Sequence, residues 1–294
     1  MASIHLDEIE DTIVRTNLRE STRVSAVPTS LDYVAQGKVT SVKDQGTCGS
    51  CWSFASVAMM ESVLLIRGFS YGLSEEAALE CASYYAPGQR QSDCSGGYFK
   101  DSLTFLATVG DVLRSQYPYL ASTYGSGPGY PSTPGICNDA NRIMVGTGTA
   151  TVYPTLTDAQ VKQLLVDEGP VMIGMYANTG FMSYSTGVYS GCPSDSASFI
   201  NHAITLVGYD DTNQCWLCKN QWGTSWGESG YVKIAYSNDC GLKSLVGNIV
   251  YSAYNSNPEV TVSSSLLYDN GASTGQPHLV AALLLFLGLL ALLI

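Results

Sequence analysis

The sequence predicts an α+β protein built as a helical lobe followed by a strand-rich lobe. Two observations carry that expectation. The chain has 294 residues, 45% of them apolar, which is enough to bury a large core. From residue 51 to about 120 the apolar residues read as helical, and after Ile143 the texture changes to short β-branched runs. The helical lobe is expected over about 38–140 and the β-rich lobe over about 141–255. No internal repeat is evident.

Taken in order, residues 1–26 are polar and mixed in charge, with Asp7, Glu8, Glu10 and Asp11 ahead of Arg15, Arg19 and Arg23. They hold no apolar run of the signal-peptide kind and read as the remnant of a propeptide whose start has been lost. A Gly-free apolar run predicts a helix over 51–67. Leu73-Ser74-Glu75-Glu76-Ala77 reads as a cap and the start of a second helix. Residues 121–135, rich in Gly, Pro, Ser and Tyr, form a long surface loop. A helix is expected near 157–168, and strands over 171–175, 203–209 and 231–234. Residues 256–278 read as a flexible linker. The apolar run 279–294 is short for a membrane span, and no Lys or Arg follows Lys243. Small residues at Asn270-Gly271-Ala272, with Ser263-Ser264-Ser265 as a competing site, make the tail resemble a GPI-attachment signal more than a tail anchor.

A formal charge of −11 leaves no basic patch to compete with 25 carboxylates, which excludes nucleic acid as a partner. Such acidity suits an acidic vesicle or the extracellular side. The nine cysteines are Cys48, Cys51, Cys81, Cys94, Cys137, Cys192, Cys215, Cys218 and Cys240. The pairs Cys48/Cys51 and Cys215/Cys218 lack the loop context of a zinc site. Cys215 and Cys218 lie three apart on a predicted strand, so they point to opposite faces and do not bond each other. Cys218 is expected as a small buried hydrophobe and Cys215 as a half-exposed thiol.

The reactive chemistry concentrates in Gln45-Gly46-Thr47-Cys48-Gly49-Ser50-Cys51-Trp52-Ser53-Phe54. Cys51 opens a predicted helix, whose N-terminal N–H groups and partial positive charge favour a thiolate. Gln45 is placed to turn an amide toward an oxygen beside that sulfur. A nucleophilic thiol needs a base, and of the three histidines only His202 lies in an apolar strand of the globular region; His5 and His278 flank it. Downstream, Asn220 is a neutral amide suited to hold one ring nitrogen of His202, and Trp222 is suited to shield that bond.

These segments resemble the papain-like cysteine peptidases, the family of cathepsins L and B. Cys51 falls on the nucleophile, Gln45 on the oxyanion donor, Asn201-His202-Ala203 on the base motif, and Lys219-Asn220-Gln221-Trp222-Gly223 on the orienting motif. Further matches are Pro28-Thr29-Ser30-Leu31-Asp32-Tyr33, Cys94-Ser95-Gly96-Gly97-Tyr98 and Tyr117-Pro118-Tyr119, so the resemblance runs over about 27–255. Gln221 stands where the family usually has Ser, and Tyr33 where it usually has Trp. The resemblance implies a two-lobed papain-like fold with the cleft between the lobes, the disulfides Cys48–Cys94, Cys81–Cys137 and Cys192–Cys240, and an oxidising secretory or endolysosomal route.

It also implies a zymogen-type cysteine endopeptidase that needs no metal or organic cofactor, acting through an acyl-enzyme. A transpeptidase using the same intermediate, or a silent binding protein of the same fold, is the alternative. Substrate is expected along Gly96 and Gly97 and beside Asn201 and Trp222. The pocket for the second residue upstream of the cut falls on Tyr98, Phe99, Gly174, Ile200, Ala203 and Leu245. Leu245 at its floor favours bulky apolar side chains over Arg. The loop 121–135 holds no His, Lys or Arg to grip a C-terminal carboxylate, which points to internal cleavage. Expected partners are polypeptide substrates, cystatin-like inhibitors and, through the tail, a membrane; the enzyme itself is expected to be a monomer.

Overall fold

The computed structural model describes residues 3–4, 26–85, 92–120, 142–192, 199–256 and 258. Helix α1 (Cys51–Ile66) is buried at nearly every position from Cys51 to Leu64, as an all-round apolar helix must be. It closes at Arg67, and Gly68 follows in the left-handed region with φ 93°. Helix α2 (Glu75–Tyr85) begins where Ser74 Oγ accepts the Ala77 N–H at 3.0 Å, with Glu75 and Glu76 in the first turn. Helix α3 (Phe99–Thr108) packs on both. The helical texture expected to about residue 120 ends earlier. Gly110, at φ 77°, turns the chain so close to the Ile143 carbonyl that a Cβ there would lie 2.5 Å from its oxygen.

The strands are β1 (Ser3–Ile4), β2 (Ser30–Asp32), β3 (Gly96–Gly97), β4 (Gly146–Tyr153), β5 (Val171–Met175), β6 (Val188–Tyr189), β7 (His202–Asp210), β8 (Cys215–Lys219), β9 (Tyr231–Ala235) and β10 (Val246–Tyr254). The main sheet runs β4-β10-β5-β7-β8-β9-β6, with β2 paired to β7. Helix α4 (Asp158–Glu168) starts on a capping box between Thr157 and Gln160, and the single turn α5 (Thr179–Met182) starts on Asn178. The expected strands and α4 lie where the sequence puts them. The long β4–β10 ribbon and the two-residue β1 and β3 were not legible as separate elements.

Side-chain alternation on the central strands builds two cores. Val171, Ile173 and Met175 of β5 join Ile204 and Leu206 of β7 in one, with Trp216, Val232 and Ile234. Met172 and Ala203 face the other way, into the core made with α1 and α3. Thr205 Oγ1 bonds the Ala55 carbonyl at 3.2 Å and ties β7 to α1. This is the α+β, two-lobed arrangement the sequence predicted.

The disulfides Cys48–Cys94 and Cys192–Cys240 are formed. Cys81 is disulfide-bonded too, and its expected partner Cys137 lies outside the described residues. Cys215 and Cys218 are free thiols. The expectation of a half-exposed Cys215 is corrected: it is fully buried, because β8 sits between β7 and β9 and is covered on both faces. The loop 121–135, the tail 279–294 and almost all of residues 1–26 and of the linker also lie outside the described residues. Among those described, no helix is long and apolar enough to cross a membrane.

Candidate active site

Two elements meet at the sulfur. Cys51 is the first residue of α1, and His202 is the first residue of β7, paired with Met175 of β5. The backbone N–H groups of Ala203 and Trp52 face the Cys51 sulfur, so the residue after His202 is at the thiol itself. His202 Nε2 is 2.9 Å from Asn220 Oδ1, and the Gln221 N–H also donates to that oxygen at 2.9 Å. An oxygen between two donors accepts from both, so Nε2 carries the proton and Nδ1 is left without it. Trp222 stacks on the imidazole with centroids 4.6 Å apart, and Phe181 packs edge-on against both rings. That cluster excludes water from the His202–Asn220 bond.

Gln45 is buried in the loop before α1. Its Nε2 donates to the Cys48 carbonyl at 2.8 Å, which engages one amide hydrogen and leaves the second. Its backbone N–H donates to the Gln221 carbonyl at 3.0 Å, and its carbonyl accepts from Tyr119 Oη at 2.9 Å. Tyr119 Oη also lies 2.6 Å from Ser50 Oγ, so one phenol steadies both ends of the Gln45–Cys51 segment.

Burial governs the ionisation of the site. It pushes the Cys51 thiol up to about 11, against the lowering effect of the Ala203, Trp52 and Cys51 N–H groups. It pushes the His202 imidazole down to about 4, with the Asn220 bond opposing. The N–H groups at the helix terminus act toward the thiolate, and burial opposes them. The N-terminal strand β1 pairs in parallel with β3, Ser3 opposite Gly96 and Ile4 opposite Gly97, and lies against β7.

Gly96 and Gly97 form β3, with the Trp52 ring so close under Gly97 that a Cβ would fall 2.4 Å from its Cε2. Tyr98 caps α3 and Phe99 is buried at its start. Gly174 stands opposite Ala203 in the sheet, and a Cβ on it would lie 2.9 Å from Ile200 Cγ2 and 3.1 Å from Leu245 Cδ2. The structure thus brings Gly174, Ile200, Ala203 and Leu245 together. The Asn201 side chain is engaged with Ala177, accepting its N–H at 2.8 Å and donating to its carbonyl at 3.2 Å.

Sequence reading missed the charged network behind Asn220. Lys43 bonds Glu61 at 2.7 Å and also pairs with Glu75, which Arg114 holds at 2.7 Å. Lys219 Nζ reaches Thr40 Oγ1 at 3.1 Å, and burial lowers its ammonium to about 8, with Glu61 opposing. The available signal was Glu61 itself, a carboxylate inside an otherwise apolar helix.

The family model described as papain family cysteine protease matches residues 27–249. Ananain of Ananas comosus is 33% identical over 246 residues, covering 81% of this chain and 65% of ananain. Digestive cysteine proteinase 1 of Homarus americanus is 36% identical over 232 residues, covering 76% of this chain and 67% of that protein. The chain thus spans about two thirds of the length of these curated relatives. A crystal structure of the Carica candamarcensis cysteine protease CMS1MS2 in complex with E-64 superposes with a TM-score of 0.60 at 30% identity, over 77% of this chain and 100% of that one.

Proposed function

The chain belongs to the papain family of cysteine proteases, and from that premise we propose that it is an endopeptidase with Cys51 as nucleophile and His202 as its base. The observation that carries the reading is that the α1 terminus and the Ala203 N–H both face the Cys51 sulfur, while the preceding residue, His202, is held by Asn220 at 2.9 Å under Trp222. His202 takes the Cys51 proton on Nδ1, and the resulting thiolate attacks the scissile carbonyl carbon, forming the C–S bond as the carbonyl π pair moves to oxygen. Imidazolium His202 then gives its proton to the leaving amine as the C–N bond breaks; the neutral imidazole draws a proton from water, whose oxygen bonds the acyl carbon as the C–S bond breaks and the Cys51–His202 pair recovers its proton. The Cys51 N–H and the second amide hydrogen of Gln45 stabilise the oxyanion. Asn220 orients His202 and does not react.

Gly96 and Gly97 offer backbone to an extended peptide, and the apolar set Gly174, Ile200, Ala203 and Leu245 supports a preference for bulky apolar residues two upstream of the cut. The pairing of Ser3 and Ile4 with Gly96 and Gly97 supports reading residues 1–26 as a propeptide remnant. The disulfides support a secretory or endolysosomal route, and the apolar run 279–294 supports membrane attachment. Digestion of a defined polypeptide with fragment mapping tests the central reading. Internal cuts lost in Cys51→Ala are expected; internal cuts that persist in that variant, or faster release of C-terminal dipeptides than internal cleavage, overturn it.

A further inference from the structure

Resting on that reading of Cys51, His202 and Asn220, we propose that Gln221 is a positioning residue for the reaction, its side-chain amide clamping the Asn220 segment to the strand that carries His202. Strands β7 and β8 pair at Thr205↔Lys219, where β8 ends. The next rung in that direction would join Ala203 to Gln221. There the Gln221 side chain takes over from backbone pairing: its Nε2 donates to the Ala203 carbonyl at 2.7 Å.

The backbone of Gln221 makes two more bonds of the same kind. Its N–H donates at 2.9 Å to Asn220 Oδ1, the oxygen that also holds His202. Its carbonyl accepts the Gln45 N–H at 3.0 Å. One buried residue therefore ties together the segments that bear the oxyanion donor, the base and the orienting amide. Ala203 is also the residue whose N–H faces the Cys51 sulfur. The amide's pull on Ala203 therefore bears on thiolate placement as well as on the imidazole. A serine, which the family usually carries here, has its hydroxyl on the first side-chain carbon and ends well short of where this amide nitrogen sits. Gln221 lines a small pocket with Asn220, Lys219 and Thr205, and its bonds run to Ala203, Asn220 and Gln45, so its effect reaches the reaction through those neighbours.

The test is Gln221→Met, which keeps the length of the side chain and removes the donor. The expected result is a fall in kcat of about tenfold with KM changed less than about twofold, the size of one lost hydrogen bond expressed in the rate. The acidic limb of the Cys51 alkylation profile with iodoacetamide should also move to higher pH, because the sulfur loses an aligned N–H. A merely structural role would lower the melting temperature and leave the kcat-to-KM split and the alkylation profile unchanged; that result overturns the proposal. If Gln221→Met does not fold, Gln221→Ser carries the same readouts. The alkylation profile needs no peptide substrate. A wild-type chain whose Cys51 reacts as an activated thiolate but cleaves nothing would sink the hydrolase reading and leave the Gln221 test in force.

Discussion

Gly174→Ala should convert the apolar pocket into one that rejects large side chains. A Cβ at that position would stand 2.9 Å from Ile200 Cγ2 and 3.1 and 3.2 Å from Leu245 Cδ2 and Cβ. Carbon atoms in good contact lie about 3.5–4.0 Å apart, so several tenths of an ångström must be found on two sides at once. Neither neighbour has room to retreat, since Ile200 is 4% exposed and Leu245 1%. On the proposed assignment of the pocket, the added methyl group pushes Ile200 and Leu245 toward the space a substrate side chain would fill. One methylene in an apolar pocket discriminates by about 1–3 kcal/mol, or roughly tenfold to two-hundredfold in kcat/KM. The assay pairs fluorogenic peptides that differ only two residues upstream of the cut. The Leu substrate should lose at least about tenfold against the Ala substrate, which should stay within about threefold of wild type. Overpacking should also destabilise the fold by about 1–3 kcal/mol, a fall of several degrees in Tm. An equal loss on both substrates, or none on either, would refute the assignment of this pocket.

The other predictions follow from the same geometry. His202→Ala should lower kcat by about a thousandfold or more, and near-normal turnover would contradict its role as the base. Removing β1 frees the edge of β3 with which Ser3 and Ile4 pair; water gained there should move the Cys51 thiol down from about 11 and the His202 imidazole up from about 4. Faster alkylation of Cys51 at neutral pH is the expected signal, and an unchanged rate would refute a link between the β1–β3 pairing and the burial of Cys51. Burial raises the Glu80 carboxyl to about 7, against a hydrogen bond from Tyr117. A carboxyl raised on folding stabilises most when protonated, so its contribution is full below the ordinary carboxylate range of about 4.3 and is lost as pH rises through about 7. Melting curves across that window should show the fall, and Glu80→Gln should flatten it.

What could be read from the sequence follows physical rules that act locally. Helix α1 announced itself by a Gly-free apolar run and α2 by Ser74 and its two glutamates. Strands β5, β7 and β9 announced themselves by β-branched runs. The pairing of His202 with Asn220 came from ordered motifs and not from any local rule, because the two side chains meet only once β7 and β8 have paired. Relations between distant segments stayed hidden for the same reason. Nothing near Tyr119 indicates that its hydroxyl reaches Gln45, and nothing near Gln221 indicates that its amide continues a ladder. Cys215 was misjudged because strand alternation says which residues share a face but not whether that face meets solvent. The depth of burial of Cys51 was not legible because a helix terminus acts over one turn, whereas burial depends on everything packed around it.

The central claim is that Cys51 is a nucleophile made reactive by His202, and active-site labelling tests it most directly. The chain is treated with a peptidyl epoxide that alkylates papain-like thiols, and the modified residue is mapped by mass spectrometry in wild type and in His202→Ala. The account predicts a single adduct, on Cys51, formed with complete loss of peptidase activity and nearly absent when His202 is removed. An adduct on Cys215 or Cys218, or labelling of Cys51 at the same rate without His202, would contradict it.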